Sequence, residues 1–344
     1  KFKDPLEQRT ALQEMMARTR EAGAEVETLG NRIKRLFGQH FDTALVMLGI
    51  NALRQALVQV YQNVVQLDKA VVDLQIATGG SRSEMQALLS DYSKLGQEIG
   101  ATTLEVSQGA DAFLRQGKTI QETETLVRNS MMLSKLGQIE SAEASDALTT
   151  AMKGYKVSVE DSLGIVDKLT AVDRVSASTA GGLAVSMAET ATSANLAGVS
   201  MDKLIGQLAV VKEVSGDADE SVGTFYRTLY ARMGQVKAGE MVDPETSESL
   251  SNVETVLTSY DIKLRDSQDN FRNFGDVLDE VASKWDDYGS VAKHAIATAF
   301  AGTRQQDKFL ILMSHYQEAL KYAEVSANSA GTATVKYQAY TDGL

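Results

Sequence analysis

The sequence predicts an all-α protein, a multi-helix bundle of short antiparallel helices with long amphipathic helices and one small β-hairpin near residues 261–274. Three observations carry this. Only two prolines, Pro5 and Pro244, occur in 344 residues, against roughly 17 at the usual ~5% usage, so little interrupts a helix. Apolar residues recur at three- and four-residue spacing through long stretches, which lines one helical face. Ahead of several such runs stands a Ser, Thr or Asp with an acidic residue three positions on, the mark of a helix N-terminus.

Residues 1–40 form a charged helical arm. Asp4, Pro5 and Glu7 open it as N-cap, N1 and N3. Over 41–78 the residues Leu45, Leu48, Leu53, Leu57, Val60, Val64, Leu67, Val71 and Leu74 define one long amphipathic helix. Polar residues such as Asn51, Arg54, Gln59 and Gln66 interrupt it too often for a bilayer span. Gly79 and Gly80 end it.

A helical bundle core follows over 79–238. Ser81, Thr102, Thr119, Ser158, Ser200 and Asp217 are its expected caps, with Ser141 and Ser178 as single caps, giving about eight helices of 12 to 20 residues. The phrase Val157-Ser158-Val159-Glu160 returns as Val199-Ser200-Met201-Asp202 and hints at repeated helical hairpins, although no fixed period extends from it.

Residues 239–274 hold the one interior proline and a loop. There Ile262 and Leu264 face Phe271 and Phe274 across the turn Asp266–Asn270, the expected hairpin. C-terminal helices occupy 275–344, with a break at Ala301 and Gly302, and are expected to continue past Leu344 in a longer protein.

Composition excludes several functions. The absence of cysteine removes disulfides, thiolate metal sites and thiol nucleophiles. A net charge of -12 argues against specific nucleic-acid binding, which needs clustered cations. At 6% aromatic residues the core is expected to rest on Ala, Val, Leu and Met.

Chemical motifs resolve into structural ones. Gly117-Lys118-Thr119 resembles the end of a phosphate loop, but Ala112 stands where its first glycine belongs, and Thr119 serves as a cap. Ser200 with Lys203 and Ser290 with Lys293 have a nucleophile–lysine spacing, yet both serines open helices. His40, His294 and His315 contain no i, i+4 pair for zinc. Asp217 and Asp219 lack the rest of a calcium loop, and neighbours Asp286 and Asp287 diverge around a helix. The expectation is a non-enzyme with no cofactor and no metal.

Four segments carry a resemblance: ATSANLAGVSMDKLIGQL (191–208), VGTFYRTLYARM (222–233), DVLDEVASKWD (276–286) and AFAGTRQQDKFLIL (299–312). In order and spacing they resemble the core region of bacteriophage tail tape measure proteins, from about Leu53 onward. Within them Gly198, Gly223, Thr224, Arg232, Trp285, Gly302, Thr303 and Arg304 form the structural signature. Family members commonly carry a glycine in the turn before the position of Phe271; here Asp269 and Asn270 stand there. They are also usually much longer.

The resemblance implies a structural protein of the virion tail, in the tube lumen or at the tip, present in the host cytoplasm during assembly. It would nucleate the tail, determine its length and assist genome ejection. Implied partners are further copies of itself as a trimer or hexamer, the tail tube protein, distal tail or tail-tip proteins, a tail assembly chaperone and, on ejection, the host membrane. The alternative is a pore-forming or translocation-channel component built on the 41–78 stripe.

Overall fold

The computed structural model describes residue 62 and residues 65–243 and 247–343. Asp4, the arm 1–40 and most of the 41–78 helix lie outside them. The chain divides into two compact units, Lys1–Lys94 and Leu95–Leu344. In the first, a helix runs over 65–78 and α1 (Arg82–Glu98) begins. Thr78 donates to Met85 Sδ (3.4 Å), Arg82 pairs with Asp68, and Val71, Leu74, Met85 and Leu88 are buried.

The second unit is mainly helical. Its successive helices are α2 (Thr103–Arg115), α3 (Ile120–Gly137), α4 (Ser141–Tyr155), α5 (Ser162–Asp173), α6 (Ala180–Leu196), α7 (Met201–Ser215) and α8 (Asp219–Ala238). There follow α9 (Val253–Ser259), α10 (Phe274–Ser283), a 3-10 turn at Trp285–Asp287, α11 (Ser290–Ser314), α12 (Tyr316–Ala327) and α13 (Thr332–Thr341). Among the described residues no helix is long and apolar enough to cross a membrane.

Six of the eight connections up to α8 are of one kind. A residue at positive φ ends a helix, one residue follows, and the next is the N-cap of the new helix. Gly79, Gly100, Gly117, Gln138, Gly198 and Gly216 hold the left-handed position. Two residues on stand Thr102, Thr119, Glu140, Ser200 and Ala218 in extended backbone, and Ser81, whose hydroxyl accepts the Glu84 amide. The left-handed residue closes the old helix and the extended cap starts the new one, so each hairpin reverses in three residues. The same position at Lys156 shows a hairpin period of roughly 40 residues, carried by the backbone rather than by identical residues. Glutamine in the left-handed region is strained where glycine is not. Gln138→Gly is therefore expected to stabilise the protein by about 0.5 kcal/mol in urea denaturation, the loss of strain outweighing the looser unfolded chain.

At three caps a glutamate returns the bond: Glu84 to the Ser81 amide (2.7 Å), Glu105 to Thr102 (2.7 Å) and Glu122 to Thr119 (2.9 Å). Partial burial pushes the Glu105 carboxyl up, but the Thr102 amide and hydroxyl with Lys135 outweigh it and hold it below the ordinary value of 4.5. The Thr119 amide and hydroxyl likewise lower Glu122. A lowered folded value stabilises fully above the unfolded value and is lost as pH falls through it. The stability margin of the native protein over Glu105→Gln should thus be constant above about pH 4.5 and vanish in acid, as followed by thermal melts across pH.

Elsewhere the starts shift. Ser158 Oγ accepts the Asp161 amide (3.2 Å) and closes a turn, so the helix begins only at Ser162. Asp217 does not cap α8. Ala218 stands there while the Asp217 carboxylate meets Lys308 at 2.8 Å. Glu140 rather than Ser141 holds the N-cap of α4, and Thr179 rather than Ser178 caps α6, Ser178 donating instead to the Ala209 carbonyl (3.3 Å).

The most extensive helix packings join α7 with α12, α6 with α8, and α4 with α6. Each has a glycine at the crossing. A Cβ on Gly206 would sit 2.2 Å from the Ala319 carbonyl oxygen, on Gly223 2.7 Å from that of Ser186, and on Gly154 2.6 Å from Ala191 Cβ. Backbones approach this closely only without side chains, so small residues set the core's geometry. Helix α6 contributes Ala180, Gly181, Ala184, Ala191 and Ala194 as buried positions and lies at the centre, touching α3, α4, α7 and α8. The chain's end folds back onto α5. Buried Asp167 accepts the Gly331 and Ala333 amides (2.9 and 2.8 Å) and so caps α13 from another helix.

The expected hairpin near 261–274 does not form. No strand occurs among the described residues, and one isolated antiparallel bridge, Arg265 to Phe271, is all that pairs there. Asp269 itself takes the left-handed turn position at φ 65. The second strand cannot extend because Asn273 accepts the Gly275 amide (2.8 Å), and Phe274 is already helical.

Candidate functional site

The aromatic residues are few but gathered. Phe225, Tyr226, Tyr230, Phe274, Phe300, Phe309, Trp285, Tyr288 and Tyr260 form one continuous file, neighbouring ring centroids 4.6 to 6.3 Å apart. The core is thus not built from aliphatic residues alone, as the composition suggests. Aromatic pairs add to area burial, and this file ties α8, α10 and α11 together. Trp285 sits near its end, buried, donating to Ser314 Oγ (3.4 Å) beneath the Lys293 ammonium.

Beside the file lies a break in α11. Gly302 interrupts α11 with φ 71 and ψ 174, a conformation open essentially to glycine alone. The break separates the Ala299 carbonyl from the Thr303 amide, which an unbroken helix would pair. Both find other partners. Arg232 Nε donates to the Ala299 oxygen (3.2 Å), and the Thr303 amide donates to Glu248 Oε1 (3.1 Å). Arg232 Nη1 then bonds Glu248 Oε2 (3.0 Å) and lies 3.6 Å from Asp243 Oδ2. The circuit satisfies both orphaned backbone groups and pairs a guanidinium that is only 4% exposed.

A Cβ on Gly302 would stand 2.5 Å from Glu248 Oε2. Gly302→Ala is expected to cost about 2 kcal/mol from backbone strain and displacement of that carboxylate, read by chemical denaturation.

A family model described as phage-related minor tail protein matches residues 90–302. The chain belongs to that family. This minor tail protein is therefore a component of the phage tail with a structural role there. No solved structure matches the chain.

In this minor tail protein the signature residues converge only in part. Arg232, Gly302 and Thr303 meet in the circuit above. Gly223 is placed by its crossing with α6, and the Thr224 carbonyl accepts the Thr228 hydroxyl (2.9 Å). Gly198 takes φ 80, and its carbonyl accepts the Asn273 side-chain amide (3.0 Å). Arg304 is exposed. Glu248 and Asp243 escape notice in the sequence: nothing about an acid after a loop says that it completes a helix broken more than fifty residues later.

The other candidates have structural partners. Thr119 caps α3 and Lys118 lies 3.6 Å from Glu122. Ser200 accepts the Lys203 amide, while Lys203 Nζ pairs with Asp279 (2.5 Å). Asp219 meets Lys212 at 3.0 Å. Asp286 and Asp287 lie on the 3-10 turn, and His40 lies outside the described residues. No group of three His, Asp or Glu side chains among the described residues is arranged to hold a metal. A cleft of about 410 Å³ opens beside Gly198, walled by Leu196, Tyr230, Met233, Leu264, Phe271 and Lys237.

Proposed function

We propose that this chain is the folded body of a tail tape measure protein, which nucleates tail assembly while the length-measuring helix lies elsewhere in a longer polypeptide. The observation that carries the reading is the coincidence of the family match, 90–302, with a compact many-helix unit, Leu95–Leu344. An extended helix gains about 1.5 Å per residue and converts chain length into tail length, whereas helices that reverse every twenty residues or so do not. The body would assemble as a trimer or hexamer and engage the tail tube protein, tail-tip proteins and an assembly chaperone, in the tube lumen or at the tip. On ejection the protein would leave ahead of the genome, and its net charge of -12 would keep DNA phosphates from adhering to it.

Complementation tests this reading. Phage lacking the gene are supplied with the native gene or with one carrying Gly302→Ala, and tails are counted by electron microscopy at permissive and raised temperature. Loss of tails at the raised temperature is expected from the variant; full tail yield despite a demonstrated drop in stability would refute the nucleating role.

A further inference from the structure

A pit of about 290 Å³ opens where the α2–α3 and α4–α5 connections lie side by side. Its floor is apolar and buried, made of Phe113, Leu126 and Met152. Its rim carries Lys118, Lys153 and Lys156. Several lysines elsewhere in the second unit, Lys168, Lys203, Lys212 and Lys336 among them, are held by aspartates. The rim differs. Lys153 has only the neutral Gln116 Oε1 as partner (3.0 Å), Lys118 stands 3.6 Å from Glu122, and Lys156 has no carboxylate partner among the described residues. Lys156 is exposed and takes a left-handed backbone at φ 56.

In a chain of net charge -12, two cations without carboxylate partners, Lys153 and Lys156, beside an apolar hollow select an anionic occupant with an apolar anchor. The hollow is at the small end for a whole small-molecule ligand and suits one large side chain. We propose that this pit docks an acidic segment of another protein, one Phe or Leu side chain entering the hollow and flanking carboxylates meeting Lys153 and Lys156. The inference stands on the pit alone and does not depend on the proposed assembly role.

The probe is a labelled peptide Asp-Glu-Phe-Glu-Asp, titrated with the full chain in fluorescence anisotropy. Saturable binding is expected, weakened about tenfold or more by serine in place of the phenylalanine and by the double variant Lys153→Glu, Lys156→Glu. Rising salt should weaken it further. Circular dichroism melts establish that the double variant is folded, since both lysines are exposed. Absence of binding, or binding indifferent to the double variant, overturns the proposal. So does decanoate binding with the same variant dependence when the peptide does not bind, which would make the pit a small-amphiphile site. Sedimentation showing a native self-association abolished by the double variant would instead assign the pit to a second copy of this chain, and would equally overturn it.

Discussion

Arg232→Met is expected to lower the stability of the protein by roughly 3 kcal/mol or more. The guanidinium serves three groups at once: the Ala299 carbonyl, Glu248 and the nearby Asp243. Methionine keeps the length of the side chain and so preserves most of its packing, but Asp243, itself only 4% exposed, loses the adjacent cation. Breaking one side of a buried pair costs more than the pair contributes, because the remaining charge stays desolvated. At ~2–4 °C per kcal/mol for a body of this size, the melting temperature should fall by roughly 6–12 °C. Arg232→Lys separates charge from geometry. An ammonium supplies charge but cannot reach the carbonyl and the carboxylate together as the planar fork does, so lysine should recover less than half of the loss.

Gly206→Ala is the second large effect, and its sign is contested by two forces. Alanine favours a helix over glycine by about 1 kcal/mol. Against this, the added Cβ would lie 2.2 Å from the Ala319 oxygen and 2.8 Å from the Ala323 nitrogen. Both are backbone atoms of α12, with no rotamer to turn away, so α7 and α12 must separate along the most extensive packing in the unit. Overpacking of this kind costs about 1–3 kcal/mol and exceeds the propensity gain at its upper end, for a net loss of about 2 kcal/mol. Gly234→Ala is the matched control. Gly234 is exposed in α8 and its Cβ would meet nothing within 4 Å. The same substitution there should stabilise by about 0.5–1 kcal/mol. Urea denaturation of the two variants side by side reads both signs.

Local signals were legible wherever the chain writes them locally. Ser81, Thr102, Thr119 and Ser200 stand next to the helices they begin, and the residues that answer them lie three positions on. The spacing of such residues predicts about eight helices of 12 to 20 residues between Ser81 and Ala238, and α1 to α8 have those lengths. The break at Gly302 is readable for the same reason. The hairpin period was not legible, because Gly117, Gln138 and Lys156 fill one backbone role with three residue types. Asp217 misled because its carboxylate pairs with Lys308, a partner far along the chain, while Ala218 takes the cap position. The turn at 266–270 misled because its alternation is genuine but ends at Asn273, whose own side chain starts a helix.

The candidate site was half legible. Arg232, Gly302 and Thr303 stand out through the resemblance, yet their shared purpose depends on Glu248, which no spacing connects to them. Pairings over such separations are properties of the packed bundle, where a buried arginine needs partners and a broken helix needs its two loose ends satisfied.

The proposed division between a folded body and a measuring helix is tested most directly by tail length. In-frame deletions and duplications are made inside the Leu95–Leu344 unit and in the rest of the gene, and assembled tails are measured by electron microscopy. Lengths should change by about 1.5 Å per residue for lesions outside the unit, and assembly should fail for lesions within it. Tails that shorten in proportion to deletions within the unit, or that keep their length whatever is removed outside it, would contradict the division.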